Sequence, residues 1–160
     1  MFEKTLTDVV KGIRASKRDT ALYISQCIAE IKQEINSTDL YVKANALNKL
    51  TFLQSMGYSM SWASFASIEV MSSPRFAHKR IGYLSASQGF TQDTEVILLC
   101  TNLLQKELRV ASGEGGMYEA GLAINCISNI VTEDLARDLL PELTSLLNHQ
   151  QPYIRKKALL

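Results

Sequence analysis

The most informative stretch of the sequence is Lys79-Arg80-Ile81-Gly82-Tyr83-Leu84, in which a small residue directly precedes a large one within a predicted helix. Equivalent pairs occur at Ala46-Leu47, Gly121-Leu122 and Ala158-Leu159, so that successive pairs are 36, 39 and 37 residues apart. Small residues let neighbouring helices approach closely, and the large ones fill the space between units. A period slightly under 40 residues with two helices per unit predicts an α-α superhelix, a HEAT/armadillo-like solenoid.

The rest of the chain carries helical periodicity and no strand pattern. Leu6, Val9, Val10 and Ile13 form one stripe of the first segment, and no segment alternates apolar and polar residues as a strand would. We therefore predict an all-α chain, in which Gly57 ends the third helix and residues 111–116 form the one flexible loop. The predicted helices cover residues 2–15, 20–35, 40–56, 62–71, 74–88, 94–108, 117–130, 134–147 (or from 132) and a last segment from 152.

Composition argues against several classes of function. Over 160 residues, 17 Lys and Arg balance 16 Asp and Glu to a net charge of +1, whereas a dedicated nucleic-acid-binding protein needs a large positive excess. The longest uninterrupted apolar run, residues 96–100, is far shorter than the ~20 residues of a membrane-spanning helix. Cys27, Cys100 and Cys126 are odd in number and lie in apolar helical patterns, which favours reduced thiols. We expect no nucleic-acid partner.

The sequence also lacks the residue patterns of an enzyme. His78 and His149 have no second ligand at metal-binding spacing. The loop Gly113-Glu114-Gly115-Gly116 follows no strand and lacks the Gly-Lys-Ser/Thr ending of a phosphate-binding loop. No serine or cysteine lies in a nucleophile elbow. We therefore expect no catalytic residue, no metal and no cofactor.

Two groups of side chains have both a structural and a functional interpretation. Helical spacing favours a core position over a contact site for four large side chains, namely Trp62, Phe65, Tyr83 and Leu84. Basic residues form three clusters, for each of which a solvated helix face is the default and a binding surface the alternative. The clusters are Lys11, Arg14, Lys17 and Arg18; Arg75, His78, Lys79 and Arg80; and Arg155, Lys156 and Lys157.

The last predicted helix carries an apolar stripe with no following helix to cover it, formed by Tyr153, Ile154, Ala158 and Leu159. Each unit of a solenoid buries its faces only by stacking on the next one. We therefore expect residues 1–160 to be an N-terminal fragment of a longer solenoid trunk.

Several longer stretches are distinctive, namely Lys79 to Leu84, Thr101-Asn102 with Lys106-Glu107-Leu108, and Pro152-Tyr153-Ile154-Arg155-Lys156-Lys157-Ala158. In this collinear order they resemble the N-terminal trunk of the large subunits of clathrin-adaptor-type heterotetramers, the adaptin family. Further stretches are similar to one branch of that family, the delta-type large subunits; they are residues 12–14, 23–27, 31–34, 60–63, 68–73 and 134–139. The resemblance covers essentially the whole chain.

The resemblance implies a non-enzymatic subunit of a heterotetrameric vesicle-coat adaptor that sorts membrane cargo from the Golgi or endosomes to lysosomes or vacuoles. The implied partners are a small sigma subunit, a beta-type large subunit, a mu subunit, an Arf-family GTPase and acidic dileucine cargo. The implied location is the cytoplasm, with peripheral association on Golgi and endosomal membranes.

Two site assignments are carried by the resemblance. Arg14, which follows Ile13, matches an arginine that in relatives helps to hold the acidic residue of a dileucine signal, while the sigma subunit binds the leucines. Its structural alternative is a surface arginine near a helix C-terminus. Lys43 and Lys49 match part of a lysine-rich run that binds a phosphoinositide headgroup in the endocytic relative, but two family lysines are replaced here, by Ala44 and Asn45. We expect a weak lipid contact and recruitment that depends mainly on the GTPase and cargo.

Two other classes of function stay open beside this one. The same helices fit a generic HEAT-type scaffold without a cargo role, such as a nuclear transport or phosphatase scaffold module. They also fit a peripheral membrane-binding module. Binding of a small sigma-like chain separates the adaptor from the generic scaffold, since only the adaptor has a reason to bind one.

Overall fold

The computed structural model describes residues 4–112 and 116–160, and the secondary structure of these residues is entirely helical. The α-helices are α1 (Leu6–Ala15), α2 (Thr20–Ile35), α3 (Leu40–Ser55), α4 (Ser64–Met71), α5 (Phe76–Gly89), α6 (Ile97–Arg109), α7 (Gly116–Ile130), α8 (Glu133–Leu146) and α9 (Pro152–Ala158). Two short 3-10 helices, Ser61–Ala63 and Val110–Ser112, precede α4 and follow α6. No helix of the described ranges has the length and apolar content needed to cross a membrane.

The helices form two layers. The odd-numbered helices contact one another in chain order, α1 with α3, α3 with α5, α5 with α7 and α7 with α9. Each even-numbered helix packs on the odd-numbered helix that follows it, so that α2 lies on α3, α4 on α5, α6 on α7 and α8 on α9. This stacking of helical pairs confirms the predicted α-α superhelix.

Two apolar clusters fill the space between the layers. The first joins α2, α3 and α4 through side chains such as Ile24, Leu47 and Val70. The second extends from the end of α4 to α9 and includes Tyr83 and Leu135. The core therefore runs along the stack of helices, as the repeat requires, instead of lying at one centre.

The small-large pairs have the predicted role in the middle of the chain. Ala46, Leu47 and Tyr83 are buried. A Cβ atom on Gly82 would lie 2.4 Å from the backbone nitrogen of Met71, so only glycine permits this close approach of α5 to α4. At the last pair, Leu159 is 75% exposed, because no described helix follows α9.

Most predicted boundaries are confirmed to within a few residues. α2 has the predicted bounds, and Gly57 has a φ of 96° after α3. α6 begins at Ile97, three residues later than predicted, and the segment from Ser61 starts as a 3-10 turn. Of the predicted loop 111–116, residues 113–115 lie outside the described ranges, as does the predicted start of the first helix at residue 2.

Three of the four large side chains predicted to lie in the core are exposed, and that prediction was wrong for them. Trp62 is 40% exposed, Phe65 59% and Leu84 47%, whereas Tyr83 is buried as predicted. In α4 and the 3-10 turn before it, the core-facing positions are occupied instead by Ala63, Ala66 and Val70, which are buried. Spacing alone does not tell which face of a helix turns inward.

Candidate functional site

Arg14 lies in the last turn of α1 and is exposed. The preceding residue, Ile13, packs against the first apolar cluster, while Val9 is buried one turn earlier. Because successive residues of an α-helix point about 100° apart, anchoring Ile13 against the core leaves Arg14 facing away from it. The sequence thus positions Arg14 through its apolar neighbours.

Three further cations surround Arg14 along the chain. Lys11, Lys17 and Arg18 are also exposed, and we call these three residues together with Arg14 the basic edge. Within the described residues no ion pair involves any member of it. Asp8 interacts electrostatically with Lys11, and Asp19 follows Arg18, so residues 8–19 carry four cations against two carboxylates. This excess of exposed positive charge suits an acidic ligand.

The nearest carboxylate on α1 is already engaged in capping the helix. Asp8 accepts hydrogen bonds from the backbone N–H and hydroxyl of Thr5, and the Asp8 backbone N–H donates in return to the Thr5 hydroxyl oxygen. The hydroxyl hydrogen bond, followed by the backbone one, lowers the pKa of Asp8. This capping box was not among the predicted features, although the Thr-x-x-Asp spacing of residues 5–8 indicates it.

A network of lysines and glutamates anchors the segment that leads into α1. The buried Lys49 ammonium donates to the backbone carbonyl of Lys4 over 2.9 Å and to Glu34 of α2. The Lys4 ammonium donates to Glu30 over 2.6 Å, and this hydrogen bond raises the pKa of Lys4. α2 and α3 therefore both hold the segment that precedes α1.

A close contact between α1 and α2 adds to this anchoring. The Tyr23 hydroxyl lies 2.0 Å from the position of a Cβ atom on Gly12, so the ring occupies the space that a side chain would fill. Gly12 therefore lets α2 approach the last turn of α1, immediately before Arg14.

The two lysines assigned to a phosphoinositide are both engaged by carboxylates. Lys49 is only 2% exposed and binds Glu34, so its ammonium does not face solvent. Lys43 forms an ion pair with Glu69 of α4 at 2.6 Å. The structure does not bring these ammonium groups together on one surface, and their lipid contact stays a prediction.

The second basic cluster is split between the surface and the interior. Lys79 is buried and donates to Glu107 of α6 and to Glu119 of α7, at 2.8 and 2.9 Å. Burial alone would lower the pKa of Lys79, but the hydrogen bonds and charges of both glutamates outweigh it and raise that pKa. Arg80, its neighbour, is exposed. Lys79 thus joins three helices and is not available to a ligand.

The remaining reactive groups are buried among apolar side chains. The three cysteines form no disulfide, and burial raises the pKa of the Cys100 thiol to about 12 and that of the Cys126 thiol to about 11. No group of three histidine, cysteine or carboxylate side chains that suits a metal ion occurs in residues 4–112 and 116–160.

Comparison with known proteins gives consistent results. The family model described as the adaptin N terminal region matches residues 21–160. AP-3 complex subunit delta-1 from Bos taurus is 54% identical over 160 residues, which are 100% of this chain and 13% of that protein. AP-3 complex subunit delta from Dictyostelium discoideum is 46% identical over 159 residues, 99% of this chain and 14% of that protein.

A more distant relative and a structural neighbour also come from AP complexes. AP-1 complex subunit gamma-2 from Arabidopsis thaliana is 36% identical over 158 residues, 97% of this chain and 18% of that protein. A chain of the homology model of the full-length AP-3 complex in an intermediate open conformation superimposes with a TM-score of 0.65. That match has 46% sequence identity and covers 75% of this chain and 21% of the other.

These matches confirm the resemblance to delta-type subunits, and the chain spans less than a fifth of the length of these relatives. α1 with Arg14 precedes the range of the family model but lies within the alignment to the bovine relative, which covers the whole chain. The chain belongs to the adaptin family, whose large subunits are structural, non-enzymatic components of coat adaptor complexes.

Proposed function

We propose that this chain is the N-terminal part of the trunk of a delta-type large subunit, and that it acts by protein binding within a heterotetrameric vesicle-coat adaptor. The observation that carries this proposal is the 54% identity to AP-3 complex subunit delta-1 over the whole chain. In the proposed complex it binds the small sigma subunit and assembles with a beta-type large subunit and a mu subunit.

The complex acts in the cytoplasm, peripherally on Golgi or endosomal membranes, and sorts cargo towards lysosomes or vacuoles. An Arf-family GTPase and cargo provide most of its membrane affinity. Lys43 and Lys49 add little to that affinity, because their ammonium groups already bind Glu69 and Glu34. Two lysines near an anionic surface supply only about 1 kcal/mol each even when they are free.

Arg14 is the proposed contact for the acidic residue of a dileucine signal. Its guanidinium is exposed, it has no ion pair among the described residues, and three neighbouring cations strengthen the local positive potential. An arginine can bind a carboxylate through two parallel hydrogen bonds, which gives both affinity and orientation. The sigma subunit contributes the pocket for the leucines.

Charge reversal at Arg14 tests this assignment. In the assembled complex we expect Arg14→Glu to weaken the binding of an acidic dileucine peptide by about tenfold or more, because attraction becomes repulsion. Arg80→Glu is the matched control, since Arg80 is an exposed helical arginine in another repeat. Titration calorimetry measures both affinities, and an equal effect of the two substitutions would contradict the assignment.

A peptide with its acidic residue replaced by alanine makes the test specific. Arg14→Glu should have little further effect on that peptide, because the interacting carboxylate is gone. Equal weakening of both peptides would indicate that Arg14 does not contact the acidic residue.

A further inference from the structure

The segment that joins α1 to α2 places a serine among the cations of the basic edge. Ser16 is the first residue after α1 and has φ and ψ of −86° and 48°, outside the helical conformation. Arg14 and Arg18 flank it symmetrically, two residues away on either side, and Lys17 follows it directly. All three cations are exposed.

Among the described residues, the backbone of Ser16 takes part in hydrogen bonds and its hydroxyl does not. Its backbone is engaged, because its N–H donates to the Gly12 carbonyl and its own carbonyl accepts from the Thr20 hydroxyl. Its hydroxyl makes no hydrogen bond within the described residues, and the residue is half-exposed. The group is therefore free to react.

We propose that Ser16 is the phosphate acceptor for a protein kinase that selects serines flanked by cations, and that its phosphate switches off acidic-ligand binding at the basic edge. Such kinases recognise a substrate by the pattern of charge around the serine. The Ser16 oxygen attacks the γ-phosphorus of ATP and forms the new O–P bond as the bond to the β,γ-bridging oxygen breaks. ADP leaves, and the hydroxyl proton passes to the catalytic base of the kinase.

The phosphate would alter the basic edge by its charge and by its geometry. It adds about −1.5 to −2 charges at neutral pH, which offsets up to half of the four cations. It also offers the Arg14 guanidinium a bidentate partner within the same chain, so that an external carboxylate must compete with it. The switch rests on the proposed cargo role of Arg14, whereas the acceptor assignment does not.

Phosphate mapping on the assembled complex tests the acceptor. After incubation with protein kinase C and ATP, we expect peptide mass spectrometry to find phosphate on Ser16. Ser37 is the control: it lies half-exposed in the next helix connection, but Asp39 stands two residues away instead of an arginine, and the Asp39 backbone N–H donates to the Ser37 hydroxyl oxygen. Arg18→Ala should reduce phosphate on Ser16 by about tenfold through loss of one flanking cation. An unmodified Ser16, or equal labelling of Ser37, would overturn the proposal.

Cargo binding then tests the switch. The phosphorylated complex should bind an acidic dileucine peptide about tenfold more weakly than the untreated complex, and Ser16→Ala treated in the same way should keep full affinity. Unchanged affinity after complete Ser16 phosphorylation would overturn the switch. A complex that fails to bind the peptide before any treatment would count against the proposed function instead, and the mapping would still decide the acceptor.

Discussion

The burial of an individual basic residue could not be predicted from its local sequence. Lys79 and Arg80 are neighbours in one basic cluster, yet the first is buried against two glutamates and the second is exposed. The partners Glu107 and Glu119 lie 28 and 40 residues further along the chain. Nothing local in the sequence indicates such distant ion pairs. Two neighbouring basic residues of one sequence cluster therefore lie in different environments, one buried and one exposed. The exposure of Arg14 agrees with the local pattern, because the adjacent Ile13 belongs to the apolar stripe of α1, whereas the cargo role of Arg14 was assigned from the family resemblance alone.

Replacing the buried Lys79 by an uncharged residue should destabilise the folded chain. We expect Lys79→Met to lower the free energy of unfolding by about 3 kcal/mol, because Glu107 is left buried without a counter-charge. Arg80→Met, at the exposed neighbour, should change it by less than about 0.5 kcal/mol. Urea denaturation measures both values.

A double substitution separates charge from packing in that result. Lys79→Met combined with Glu107→Leu should recover part of the lost stability, since both buried charges are removed together. If the double variant is no more stable than Lys79→Met, the loss reflects packing and the electrostatic explanation is wrong.

The same ion pairs predict a dependence on alkaline pH. The pKa of Lys79 is raised above its ordinary 10.5 in the folded chain, so its contribution is fully present below that value and is lost as the pH rises through the folded pKa. Unfolding followed between neutral and strongly alkaline pH should show a smaller loss of stability in Lys79→Met than in the unaltered chain. Parallel curves for the two proteins would contradict this account.

The helices themselves were largely predictable, because apolar periodicity and Gly or Pro punctuation mark them locally. α2 agrees with its predicted bounds, and Gly57 has the predicted left-handed conformation. The orientation of a short helix was harder to predict: Trp62 and Phe65 share a face of the α4 region that turns outward. Lys32 covers that face in part, with its ammonium 5.2 Å from the centre of the Trp62 ring. A helix with apolar residues on several faces offers no single stripe from which to choose.

The two glycines of the repeat pairs provide a matched test of helix packing. Gly82→Ala should destabilise the chain by about 1–3 kcal/mol, because the new Cβ would meet the backbone of α4, which cannot move aside. In Gly121→Ala the new Cβ would meet the hydroxyl end of the Tyr153 side chain, which can rotate towards solvent. The better helix propensity of alanine offsets part of that smaller cost. Thermal unfolding of both variants should therefore show the larger decrease in Tm for Gly82→Ala, and the reverse order would contradict this explanation.

The architecture of the whole chain was predictable from the period of the small-large pairs, since a repeat slightly under 40 residues requires helical pairs that bury their faces by stacking. The division of those helices into two layers and the anchoring of α1 by Lys49 were not, because they depend on contacts between residues up to 45 positions apart. Family membership follows from matches along the chain, whereas the cargo contact rests on one exposed arginine and its neighbours.

The most direct test of the adaptor proposal is co-purification of this chain with the small sigma subunit of an AP-3 complex, alongside the small subunit of an unrelated adaptor as control. We expect a stable one-to-one complex with the matching sigma subunit, and circular dichroism should show that the chain is helical. A helical, cooperatively unfolding chain that binds neither subunit, even when extended to the full length of its relatives, would contradict the adaptor function and favour a generic HEAT-type scaffold.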